Sequence, residues 1–289
     1  MTLVRAYIAL MKLRVVELLL ISTIPAMILA EKGVPSLGLV VATLVGGTLA
    51  AGSANAFNMV LESDLDTLME RTSKRPLVTG AIGKVHAAIF ATVIGALSLL
   101  IFWMYTEPLA TLLTAIAMAF YVMVYTIALK RHTSQNIVWG GAAGCMPVFI
   151  GWAAVTNSLS WAAVAFFFVI FFWTPPHFWA LAIKYKDDYE AASIPMLPVI
   201  AARNIVLRNM WFHTIAMIIS SVALIALTDL QWWAMAITIA LGLVFAFQLL
   251  QLKENSENYN AVAVRIFHWS ITYLTLYSGL LVAAQLLNA

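Results

Sequence analysis

The chain has 289 residues, of which 63% are hydrophobic and 10% charged, with a formal net charge of +3 and a single cysteine. Soluble domains carry about 25% charged residues, so this composition excludes an ordinary soluble fold and specifies an integral protein of the lipid bilayer. The small net charge offers nothing to nucleic acid, and a lone Cys145 excludes an internal disulfide and any cysteine-built zinc or iron–sulfur site.

Apolar runs of about 20 residues, enough to cross a roughly 30 Å hydrocarbon core, recur along the chain. They predict an all-α fold of about nine transmembrane helices, at 15–30, 37–61, 87–105, 109–129, 137–155, 161–183, 207–227, 232–252 and 267–287. The first run follows Arg5, Lys12 and Arg14, as a signal peptide's core follows its basic start, but it is longer than such a core and lacks a small-x-small cleavage site. It therefore counts as the first helix. With the N-terminus inside, every Lys and Arg except Lys32 falls on the inner side, so the N-terminus is expected in the cytoplasm. Trp103, Trp152, Trp161, Trp232 and Trp233 then fall near the outer boundaries, where an aromatic belt is expected. The outer loops are short and the inner ones carry the charge, so function is sought on the inner face of one domain, residues 1–289, built around a central cavity. The run Gly140-Gly-Ala-Ala-Gly-Cys145 reads as close helix packing through small residues.

The second predicted helix runs without a Gly or Pro into the densest charge cluster of the chain. On a helix Asn58, Glu62 and Asp66 are four residues apart and share one stripe, each roughly 6 Å above the last. An ionised carboxylate in hydrocarbon costs at least about 2.5 kcal/mol, and a bound cation would offset that. Oxygen ligands with room for water suit Mg²⁺, which commonly joins one or two carboxylates to a substrate phosphate. Arg71, Lys74 and Arg75 follow, stopped by Pro76, and are donors for phosphate oxygens. A solvated loop that fixes topology accounts for the charges equally well; the shared stripe favours a site.

The sixth predicted helix ends Trp173-Thr-Pro-Pro-His-Phe-Trp-Ala180 and meets Asp187 and Asp188 at its inner end. It has the same direction as the second, which suggests an internal pseudo-repeat facing itself across the cavity. Pro175 and Pro176 remove two backbone donors and should kink it. His177 then lies at membrane depth, either as a packing residue or, flanked by Phe178 and Trp179, in reach of a large flat apolar ligand; imidazole is a common haem ligand. His86, His132, His213 and His268 read as interfacial. Lys130 and Arg131, with Lys253 and Arg265 beside Tyr259, complete a ring of inner-face cations, which the positive-inside bias alone would also place there.

These residues resemble a known family. Asn58-x3-Glu62-x-Asp64-x-Asp66, then Met69-x-Arg71-Thr72-x2-Arg75-Pro76-Leu77, is similar to the first Asp-rich motif of the UbiA-type intramembrane prenyltransferases. Trp173-Thr-Pro-Pro-His-Phe-Trp-Ala180, Lys186-Asp-Asp-Tyr189, Ile194-Pro-Met-Leu-Pro-Val199 and Lys130-Arg-x-Thr-x-Gln-Asn-Ile137 narrow the resemblance to the branch that farnesylates protohaem IX. Lys12-Leu13-Arg14 stands where that branch often has Lys-Pro-Arg, Ser193 where a Gly is usual, Glu62 for the commoner Asp, and Ala192 where quinone-type members have a further acid.

The resemblance implies transfer of farnesyl from farnesyl diphosphate to a vinyl group of haem B with addition of water, giving haem O and diphosphate. It implies that Asn58, Glu62 and Asp66, with Asp187 or Asp188 opposite, hold Mg²⁺, and that Asn58, Glu62, Asp66 and Asp188 are catalytic. Arg71, Lys74, Arg75, Lys130 and Arg131 would grip the diphosphate, and His177 would contact or ligate haem. The expected setting is a bacterial cytoplasmic or mitochondrial inner membrane, with product handed to a haem-modifying enzyme or a terminal oxidase. Another aromatic or tetrapyrrole acceptor, or a secondary transporter with acids on an ion path, are the competing readings.

Overall fold

In hydrocarbon every backbone polar group must be paired within the protein, so uninterrupted apolar runs fold as helices. The computed structural model describes residues 2–288, apart from the side chains of residues 14–20 and of Arg71. Its helices are α1 (Leu3–Met11), α2 (Leu13–Glu31), α3 (Leu37–Leu61), α4 (Lys84–Tyr105), α5 (Pro108–Ala119), α6 (Asn136–Gly140), α7 (Ala142–Thr156), α8 (Trp161–Lys184), α9 (Lys186–Ala191), α10 (Leu197–Ile200), α11 (Arg203–Leu227), α12 (Trp232–Leu250) and α13 (Tyr259–Asn288). α5 continues as a π-helix over Phe120–Leu129.

Each predicted span finds its helix. Among the described residues eight helical stretches are long and apolar enough to cross a membrane, α5 with its π continuation and α6 with α7 each counting as one. α2 is the remaining expected span, apolar over its described part, Ile21–Glu31. α3 and α8 start at Ser36 and Ser160, whose hydroxyls accept from the backbone N–H three residues on and so satisfy an orphaned donor. α8 runs unbroken through Pro175 and Pro176, both buried.

Packing follows the side chains available. On α3 and α4, Val41, Val45, Ile89, Val93 and Leu97 recur every four residues and stay exposed, which gives the pair a lipid-facing stripe. The opposite faces carry small residues and approach closely. Ser98 Oγ donates to the Gly46 carbonyl and Ser53 Oγ to the Ala91 carbonyl, both at 2.7 Å, tying α3 to α4 by the polar contacts that hydrocarbon favours. Cys145 is fully buried and its Sγ donates to the Gly141 carbonyl, as close packing requires.

Two expectations are corrected. Trp103, Trp161 and Trp232 are exposed at helix ends, whereas Trp152 is 7% exposed and belongs to the core between α7 and α8. His213 is also buried, its Nδ1 bonded to the Asn209 carbonyl and its ring against Trp179, because α11 presses that face onto α8.

A methyl group at Gly46 would lie 2.8 Å from the Phe102 ring, while one at Gly38 on the same helix would meet nothing within 4 Å. Overpacking costs about 1–3 kcal/mol, so Gly46→Ala should lower the melting temperature in detergent and Gly38→Ala should not.

Candidate active site

α3 carries Gly47, Ala50, Ala51 and Ala54 on one face, and Gly140, Gly141 and Gly144 lie opposite on α6 and α7, so the helices have no side chains to fill the space between them. The result is a cavity of about 340 Å³, walled on its other sides by α2, α5, α8 and the π-helix. Its walls are apolar in effect. Thr43, Thr114 and Thr174 line it, yet each hydroxyl donates to its own helix carbonyl at 2.8 Å and offers the cavity little but a methyl group.

One end is polar, lined by Lys12, Asn58, Arg75, Lys130, Tyr121 and Tyr189. Behind these cations lie the carboxylates. Glu62 and Asp66 are each 1% exposed. Lys130 Nζ donates to Glu62 Oε2 at 2.6 Å, and Arg75 Nη1 reaches both Asp66 oxygens at 2.6 Å. Lys12 Nζ donates to Asn58 Oδ1 at 2.9 Å, and Asn58 Nδ2 donates to Thr126 Oγ1. The predicted stripe is therefore real, although α3 ends at Leu61 and Asp66 sits in a 3₁₀ turn, Leu65–Thr67. The backbone bonds Glu62 N to Asn58 O and Asp66 N to Glu62 O, both 2.9 Å, carry the four-residue spacing past the end of the helix.

The π-helix has a geometric purpose. Tyr121 and Lys130 are nine positions apart, two and a half turns of an α-helix, which would aim them in opposite directions. Widened i→i+5 turns, seen in the backbone bond from Lys130 N to Tyr125 O, bring both to the cavity, and Thr126 Oγ1 donates to the Tyr121 carbonyl across the same five-residue step. Lys12 arrives by another irregularity: it holds the left-handed conformation between α1 and α2 (φ 51°), which few non-glycine residues adopt.

Other expected residues lie elsewhere. Arg131 makes a two-pronged contact with Asp64 at 2.9 Å and caps the Leu61 carbonyl, outside the cavity wall. That contact holds the Asp64 carboxyl below, and the Arg131 guanidinium above, its ordinary range. Lys74 is exposed, and the Arg71 side chain is outside the described residues. Asp187 is exposed and Asp188 half-buried in the first turn of α9; neither lines the cavity, while their neighbour Tyr189 does. Among the described residues no three His, Cys, Asp or Glu side chains converge as a ready-made metal cluster. Asn58, Glu62 and Asp66 are each bonded to a cation of the polar end, and Glu62 Oε1 is buried with no partner, a free oxygen of the kind Mg²⁺ uses when phosphate supplies the other ligands.

Midway along α8, His177 lines the cavity. Its ring is stacked between Trp173 at 4.3 Å and Phe267 at 4.7 Å, and Nδ1 lies 2.6 Å from Ser270 Oγ of α13. Sequence reasoning found His177 but missed Lys12, Tyr121, Tyr125 and Ser270. Lys12 had a signal, as a cation between two apolar runs; the tyrosines and the serine were ordinary members of theirs.

The family model described as the UbiA prenyltransferase family matches residues 19–271. A protoheme IX farnesyltransferase of Streptomyces coelicolor is 49% identical over 276 residues, covering 94% of this chain and 88% of that one. Its counterpart in Frankia casuarinae is 50% identical over 273 residues and covers 94% of each. Among solved structures, a digeranylgeranylglyceryl phosphate synthase superimposes with a TM-score of 0.81 at 14% identity over 99% of both chains. A UbiA homolog from Archaeoglobus fulgidus bound to GPP and Mg²⁺ gives 0.66 at 18% identity over 96% of this chain and 99% of its own. At such identities these two establish the fold.

Since the π-helix turns Lys130 towards the cavity and Arg131 away from it onto Asp64, Lys130→Ala should cost more affinity for a non-reactive prenyl diphosphate analogue, read by calorimetry, than Arg131→Ala. Equal losses would separate the π-helix from the site.

Proposed function

The chain belongs to the UbiA prenyltransferase family, and from that premise we propose that it transfers the farnesyl group of farnesyl diphosphate to a vinyl group of haem B with addition of water, giving haem O and diphosphate. The observation that carries this is the union of a cation-lined, carboxylate-backed polar end with a long apolar cavity that has an aromatic-clad histidine in its wall. Sequence identity near 50% across most of the chain to proteins named for this reaction supports the choice of acceptor.

The chemistry follows from the residues. Breaking the bond between the allylic carbon and oxygen leaves an electron pair on diphosphate, and Lys12, Arg75 and Lys130 stand where that charge develops. Mg²⁺ held by Asn58, Glu62 and Asp66 would add positive charge at the leaving group. Lys74 is exposed and Arg131 pairs with Asp64 outside the cavity wall, and with Arg71 they are assigned to capture of the incoming anion; Asp187 and Asp188 precede the cavity-lining Tyr189 on α9. The farnesyl tail fits the apolar walls, which would shield the allylic cation from bulk water. The vinyl group forms the new carbon–carbon bond, and water adds to the cation left on the macrocycle side, releasing a proton. Trp173, His177 and Phe178 provide the surface for the haem plane.

The same reading places the charged face in the cytoplasm of a bacterium, or in the mitochondrial matrix, and passes the product to a haem-modifying enzyme or terminal oxidase in the same bilayer.

The decisive experiment offers purified protein haem B, farnesyl diphosphate and Mg²⁺ under reducing conditions and reads the product by mass. A haem heavier by one farnesyl group and one water, lost on adding EDTA, is the expected outcome; release of diphosphate without a haem adduct would point to another acceptor. Asp66→Ala should reduce turnover by about 10²–10³, the scale of lost charge stabilisation, while the protein stays folded. Arg75, 19% exposed at its side chain, can turn to water when its partner is gone. Full activity in Asp66→Ala would remove this carboxylate from the mechanism.

A further inference from the structure

Ser270 on α13 has three short polar contacts, and together they settle where the protons of His177 reside. Its Oγ lies 2.6 Å from the Phe267 carbonyl oxygen and 2.6 Å from His177 Nδ1, and its own carbonyl accepts from Trp173 Nε1 at 2.8 Å. A carbonyl oxygen has no hydrogen, so the contact with Phe267 can only be made by the serine's single proton. That proton is then not available to the imidazole. The contact with His177 needs a hydrogen of its own, and only Nδ1–H can supply it, with Ser270 Oγ as acceptor. Neutral imidazole carries one N–H, so Nε2 holds a bare lone pair.

The surroundings say where that lone pair is presented. Both faces of the ring are covered, by Trp173 and by Phe267, and the Nδ1 edge is bound to α13. His177 nevertheless lines the cavity, which leaves the opposite edge, the one bearing Nε2, as the part that meets it. Nε2 has no hydrogen-bond partner among the described residues. Trp173 and His177 stand four residues apart on α8, and both are anchored to the same serine, so a single residue of α13 fixes the tilt of the tryptophan as well as the tautomer of the histidine.

We propose that Ser270 is a positioning residue for the acceptor: it locks His177 as the Nδ1–H tautomer so that Nε2 ligates the iron of bound haem, holding the macrocycle with a vinyl group towards the polar end of the cavity. This rests on haem being the acceptor. Metal-bound histidines almost always donate their other N–H to an oxygen acceptor, usually a carboxylate, a backbone carbonyl or water, the place Ser270 Oγ takes here, and removing that partner typically costs 10–100-fold in affinity.

The first test needs no change at position 270. In protein labelled with ¹⁵N-histidine, the His177 signal, assigned by its disappearance in His177→Ala, should report a protonated Nδ1 and an unprotonated Nε2 before haem is added; the opposite tautomer overturns the proposal. The second is titration with haem B followed by visible absorption and by electron paramagnetic resonance of the ferric form. His177→Ala should lose the nitrogen-ligated spectrum. Ser270→Ala should bind haem about 10-fold or more weakly with an altered axial-ligand signature, while affinity for a non-reactive farnesyl diphosphate analogue is unchanged. Ser270→Thr, which restores the acceptor oxygen, should recover the wild-type spectrum. A wild-type spectrum and affinity in Ser270→Ala, with His177→Ala defective, overturns the role of Ser270 and leaves haem as acceptor. An unchanged spectrum in His177→Ala removes the ligand and the proposal with it. Equal loss of haem and analogue binding in Ser270→Ala, or a failure of that variant to fold together with an Nε2–H signal in the parent protein, reduces Ser270 to packing.

Discussion

A carboxylate can be buried at the end of a transmembrane helix only if a cation or a strong donor faces it, and Glu62 and Asp66, each 1% exposed, place the charged end of this bundle under that constraint. Every departure from regular helix nearby serves it. A left-handed residue between α1 and α2 turns Lys12 onto Asn58, a π-helix rotates Lys130 onto Glu62, and the 3₁₀ turns after α3 fold Arg75 back onto Asp66.

The cavity divides its work by depth. Charge is confined to one end, small residues on α3, α6 and α7 keep the middle open, and α8 supplies the aromatic wall. Since an apolar chain and a flat macrocycle are both recognised by shape and burial more than by directed bonds, the protein can afford so uniform a lining. Directed bonds are reserved for diphosphate and for the His177 ring.

The parts of the fold legible in the sequence were those governed by transfer energy. Span positions and the Asn58, Glu62, Asp66 stripe followed from hydrophobicity and helical period, and the structure departs from them mainly at ends, as where α13 begins at Tyr259 instead of near 267. The parts not legible depended on neighbours distant in sequence. Arg131 looked equivalent to Lys130, but the π-helix gives one to the cavity and the other to Asp64 at the surface. Trp152 had the position of a belt residue and became core because α8 packs over it. No local pattern announces that Ser270, on the last helix, reaches His177 on α8.

If Glu62, Asp66, Lys130 and Arg75 hold metal and diphosphate as proposed, the ion pairs at the charged end also couple the binding of the two. Lys130 and Arg75 already satisfy Glu62 and Asp66. A divalent ion arriving alone would claim the carboxylates and leave two half-buried cations unpaired, and a diphosphate arriving alone would claim the cations and strand two buried carboxylates. Only the two together re-pair every charge, so each raises the affinity for the other by the same factor. On the proposed assignment, the charge network would therefore favour the ion–diphosphate pair as a unit over either component alone.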